Sequence, residues 1–88
     1  MVQVIQVHMV GGEHHEHIAD VRWKNTQKGT TGESTRADMV KYIEGGGQAF
    51  VTDGVNSVWV GVVNATPKYI RTHADGKWTD NLLALPRY

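Results

Sequence analysis

The stretch Lys68–Pro86, KYIRTHADGKWTDNLLALP, carries a strand, a turn, a polar cluster and an apolar anchor in unbroken succession. Pro67 precedes it, and a missing N–H is tolerated where a strand begins, so Lys68 to Thr72 is expected to be extended. Asp75-Gly76 reads as a turn, because aspartate bonds to nearby backbone and glycine accepts positive φ. Asp80 or Asn81 then caps a short helical turn that Pro86 stops. Leu82, Leu83 and Leu85 are left to pack beneath a sheet. Full burial of one leucine is worth about 1.5–3 kcal/mol, so these anchors would carry much of a small domain's net stability.

Upstream, Val2 to Val10 alternates, with Ile5, Val7 and Met9 on one face and Gln6 and His8 on the other, the period of a half-buried strand. Gly11-Gly12-Glu13-His14-His15 is loop-forming, and His17 to Lys24 returns as a second strand with Ala19, Val21 and Trp23 sharing a face. Asn25 to Glu33 is polar and is expected to be an exposed, disordered loop. Ser34 or Thr35 caps a helix whose apolar stripe is Met39, Val40 and Ile43, and Gly45-Gly46-Gly47 ends it. Gln48 to Thr52 and Ser57 to Asn64 are strands joined by a turn at Asp53-Gly54 with Asn56. The expected fold is a single α+β domain over residues 1–88, a mainly antiparallel five-stranded sheet in the order ββαβββ with one helix on one face.

Composition narrows function by exclusion. An 88-residue chain buries roughly 60–65% of its unfolded surface, enough for one small core. No run reaches the apolar length of a membrane span, and the start, MVQVIQVHMV, reads as a strand and not a signal peptide. A cytoplasmic location without membrane association is expected. The absence of cysteine removes disulfides, thiolate catalysis and cysteine zinc sites. Nine Lys+Arg balance nine Asp+Glu, so general nucleic-acid binding is not expected.

The triple glycine follows the helix, where the dipole repels phosphate, so it reads as a stop signal and not an anion cradle. Five histidines raise the question of metal. With His8 opposite His17, and His15 nearby, three ligands would gather; a register pairing Ile5 with Val21 and Val7 with Ala19 matches apolar residues and separates them. Burial favours the second register, and neither metal nor cofactor is expected. Thr72, Thr79, His73, Asp75 and Asp80 are the available groups for nucleophilic chemistry, but Thr72 and His73 are adjacent and face opposite ways, so catalysis is not the favoured reading. Arg71, His73, Lys77, Trp78, Asp80 and Asn81 remain as a ligand-binding set: guanidinium for phosphate or carboxylate, indole for a planar ring. The competing reading pairs Arg71 with Asp75 or Asp80 on the surface.

Ile43-Glu44-Gly45, Tyr69-Ile70-Arg71-Thr72, Asp75-Gly76 and Asp80-Asn81-Leu82-Leu83-Ala84-Leu85-Pro86 resemble the motifs of an uncharacterised family of small bacterial and phage proteins, a domain of unknown function. The likeness covers the last half of the chain well and the first half loosely, with GGEHHEH at Gly11–His17 as the departure. It implies a fold and no catalytic residue. Three functions are therefore carried forward. The favoured one is a non-catalytic, homo-oligomeric binding module that sequesters an anionic small ligand such as a signalling nucleotide, in the manner of phage counter-defence. The second is an inhibitor or adaptor that offers a sheet edge to a protein partner. The third is a metal-dependent hydrolase built on His8, His15 and His17.

Overall fold

A computed structural model describes residues 1–88. Strands β1 (Val2–Met9), β2 (Ile18–Asn25), β3 (Thr31–Thr35), β4 (Ala49–Thr52), β5 (Ser57–Val63), β6 (Tyr69–Ala74) and β7 (Lys77–Thr79) accompany helix α1 (Arg36–Glu44) and a single 3₁₀ turn at His15–His17. They form one seven-stranded sheet in the spatial order β3-β2-β1-β4-β5-β6-β7. All neighbours are antiparallel except β1 and β4. The five-stranded ββαβββ expectation is thus corrected to a seven-stranded mixed sheet with one helix.

Both added strands lack the apolar alternation that announces a strand. In β3, residues Thr31–Thr35, the expected loop ending at Glu33 turns out to be partly ladder, pairing with β2 from Asp20↔Thr35 to Lys24↔Thr31. Its inward positions are small because the Trp23 indole lies across Gly32 and donates from Nε1 to Ser34 Oγ at 2.9 Å. Strand β7 has three residues and is closed onto β6 by Asp75-Gly76, with φ of 53° and 77°. Two consecutive positive φ values define the hairpin turn whose twist suits the flanking strands, and glycine adopts the second at no steric cost.

The register of β1 also differs from expectation. Val4 faces Trp23 and Gln6 faces Arg22, so Ile5 is an extra residue in a bulge, and Val7 then faces Val21. One inserted residue exchanges the faces of everything beyond it. Val7 is buried as expected, but its buried companions are Val2 and Val4, not Ile5 and Met9, which are half-buried. Neither anticipated pairing occurs: His8 lies opposite Asp20.

Thr35 caps α1 by accepting from the Asp38 N–H at 3.2 Å, and Met39 and Val40 are buried under the helix. The core unites them with Val2, Val4, Val7, Ile18, Val21, Ala49, Val51, Val60, Ile70 and Leu82. Leu83 and Leu85 pack against its margin. Strand β4 pairs with β1 only at Val2↔Ala49 and Gln3↔Phe50. Farther along, the chain's last residues take β4's place beside β1, the Val7 N–H donating to Pro86 O at 3.0 Å and the Tyr88 N–H to Val7 O at 3.2 Å. No helix is long and apolar enough to cross a membrane.

Candidate functional site

Alternation along β4, β5 and β6 sends Val51, Val60, Ile70 and Thr72 inward and leaves Phe50, Trp59, Gly61, Arg71 and His73 on the outer face. The register then aligns one aromatic per strand: Phe50 opposite Trp59, Trp59 opposite His73, and His73 opposite Trp78. His73 and Trp78 meet edge to face, with ring centroids 5.8 Å apart and planes at 86°. Gly61 makes this possible. A Cβ there would sit 2.9 Å from His73 Cδ2 and 3.5 Å from Trp78 Cζ3, so its missing side chain is the floor on which both rings rest. Trp59 stays 44% exposed and Trp78 47%.

Two shallow depressions open along this row. One, of about 390 Å³, is lined by Gly61, Val62, His73, Gly76, Lys77 and Trp78. The other, of about 400 Å³, is lined by Met1, Phe50, Ser57, Val58 and Trp59. Lys77 enters no ion pair. A depression lined by an edge-to-face imidazole and indole and by an unpaired lysine suits a ligand that is both planar and anionic.

The other residues expected to bind ligand belong to a separate polar cluster. Arg71 Nη2 donates to Asp80 Oδ1 at 2.8 Å and its Nε to Thr79 O at 3.2 Å. The buried Thr72 hydroxyl donates to Thr79 O at 3.1 Å, lies 2.6 Å from Thr79 Oγ1, and accepts from the Asn81 N–H at 3.2 Å. These bonds fasten the end of β7 and the following turn to β6. His15, 7% exposed, approaches Asp80 Oδ1 to 3.8 Å, while its Nε2 has no hydrogen-bond partner. Burial, with the Arg71 charge second, holds the His15 pKa below its ordinary value of 6.5, against the opposing pull of Asp80 and Glu16.

The structure therefore divides the expected set. His73, Lys77 and Trp78 come together around one depression, whereas Arg71, Asp80 and Asn81 serve the packing of the C-terminal segment. Trp59, Phe50 and Gly61 were not among the expected binding residues. Their signal lies in cross-strand register, which only a correct sheet order reveals.

The histidines considered as metal ligands point to different places. His8 Nδ1 bonds to the Tyr88 carbonyl, His17 lays its ring over Gly12, and His15 turns toward Asp80. No three His, Asp or Glu side chains converge where a metal ion could be held. The Thr72 hydroxyl is fully buried within its hydrogen-bond network, a structural environment and not that of an exposed nucleophile.

Residues 3–86 match the family model described as "Protein of unknown function (DUF3892)", nearly the whole chain. The match bears out the resemblance to a domain of unknown function. No curated protein and no solved structure matches the chain.

Proposed function

Because the chain belongs to the DUF3892 family of proteins of unknown function, we propose a role from its geometry: a non-catalytic module that holds a planar, anionic small ligand on the outer face of β5, β6 and β7. The observation that carries this reading is the pair of half-exposed indoles, Trp59 and Trp78, on either side of His73 in one cross-strand row. An indole exposes roughly 150–250 Å² before burial, so leaving half of it in water forgoes on the order of 2–3 kcal/mol that a bound ring would recover. The core lies on the opposite face and does not explain their placement. Lys77 supplies the cation, since Arg71 is already neutralised by Asp80. The open edges of β3 and β7 favour a homo-oligomeric form of the same module.

Native mass spectrometry of protein taken gently from bacterial cells tests the reading. The expected spectrum contains a species heavier than the polypeptide by a small molecule that denaturation releases, and this species is absent from Trp78→Ala. A bare polypeptide under all conditions would overturn it.

A further inference from the structure

The aromatic row presents two ring sites and not one, and this bears on what the ligand is. Trp59 and Trp78 sit on strands two spacings apart, about 10 Å at the usual strand separation. Each borders its own depression, of about 400 Å³ and about 390 Å³. A single nucleobase matches the area of one indole and would leave the other in water. Between the two lies His73, the cross-strand partner of both, with an imidazole able to donate a hydrogen bond, and Lys77 stands at the rim with no acid to neutralise it. The face thus offers ring, polar donor and ring in succession, with Lys77 among the residues lining the second depression.

Resting on the binding role proposed above, we infer that the occupant is a free dinucleotide: one base over Trp59, one over Trp78, and the linking phosphodiester across His73 within reach of Lys77. A mononucleotide carries the charge but only one ring. An uncharged polycyclic compound carries rings but nothing for Lys77 or His73. A longer single strand needs a cation for each successive phosphate, whereas Arg71 is held by Asp80 and Lys68 by Glu44. Gly61 leaves the space that the His73 ring occupies between the two indoles, because a Cβ there would come within 2.9 Å of His73 Cδ2.

Isothermal titration of the intact chain with the dinucleoside monophosphates ApA and GpG, with AMP and GMP, and with A12 and G12 oligoribonucleotides tests this. One of the dinucleotides is expected to bind at least about ten-fold more tightly than its mononucleotide. Trp59→Ala and Trp78→Ala are each expected to lower that affinity roughly 5- to 150-fold, the range that loss of a base-stacking ring produces. Trp59→Phe and Trp78→Phe should restore most of it, and Gly61→Val, which keeps both tryptophans in the chain but crowds the His73 ring between them, should also weaken binding. Circular dichroism melting of each variant reports that the fold is kept. Equal affinity for mono- and dinucleotide, with sensitivity only to Trp78, would overturn the two-ring inference while leaving the planar-anion reading intact. Much tighter binding of a dodecamer would overturn it in favour of single-stranded nucleic acid, and no binding by any probe would overturn both.

Discussion

The imidazole of His73 stands edge-on to the indole of Trp78, 5.8 Å between centroids and 86° between planes, with both rings lying over Gly61. This T-shaped pair packs the Trp78 indole against its neighbouring strand, on a three-residue edge strand whose far end is fastened through Thr79. The outer face of β5, β6 and β7 is thereby a preformed surface, and its aromatic order is a property of register.

Gly61→Val places a branched side chain where His73 and Trp78 now rest. The displaced atoms belong to side chains on an open face, so they can turn aside and the fold should survive. In ¹H–¹⁵N spectra the Trp78 indole N–H signal is expected to move while that of Trp23, bonded to Ser34 on the other side of the sheet, stays in place. Unchanged Trp78 resonances would show that the two rings do not rely on that gap.

Thr72→Val removes a buried hydroxyl and leaves the Asn81 N–H without its acceptor and Thr79 Oγ1 without its partner. An unsatisfied buried polar group costs about 1–3 kcal/mol, and urea unfolding is expected to register a loss in that range. Thr72→Ser, which keeps the hydroxyl, should recover most of it.

Leu82 is fully buried beneath the sheet, as its place in the C-terminal segment leads one to expect. Truncating it to alanine is expected to cost about 2–5 kcal/mol. Val55→Ala, at a position 88% exposed, should change stability by no more than about 0.5 kcal/mol. A cooperative melt unaffected by Leu82→Ala would mean that the segment is not part of the core.

His15 ties stability to pH. Its folded pKa lies below 6.5, so as pH falls through 6.5 the unfolded chain takes up a proton that the folded chain refuses. The stability it contributes is complete above pH 6.5, declines as pH drops through that value, and levels off below the folded pKa. Between pH 7 and pH 5 the urea midpoint of the wild type is expected to fall further than that of His15→Gln, whose side chain is neutral throughout. Equal declines would contradict the burial of a neutral imidazole at this place.

Much of the framework is legible from local chemistry. Thr35 followed by Asp38, Met39, Val40 and Ile43 specifies a capped amphipathic helix, and Asp53 with Asn56 specifies a turn that the structure closes by bonds from the Val55 and Asn56 N–H groups to Asp53 Oδ1. The Arg71–Asp80 pair follows from proximity across a hairpin. What local chemistry does not carry is phase. The bulge at Ile5 exchanges the faces of β1 without any change in composition, so strict alternation sends Ile5 inward with Val7 and leaves out the buried Val2 and Val4. Strand β3 owes its place to the Trp23 ring covering Gly32 and Ser34, a tertiary contact with no apolar signature of its own. The aromatic row escaped for the same reason: Trp59, His73 and Trp78 are distant in sequence and become neighbours only once β5, β6 and β7 are aligned.

The proposed binding surface is tested most directly by mapping chemical shifts of the ¹⁵N-labelled chain during titration with AMP, which joins one planar ring to one phosphate. Shifts are expected at the indole N–H of Trp78 and the amides of Gly61, His73 and Lys77, with Trp23 and the residues of α1 unmoved. Shifts confined to α1 and Trp23, or none at millimolar AMP, would contradict the assignment of this face as the ligand site.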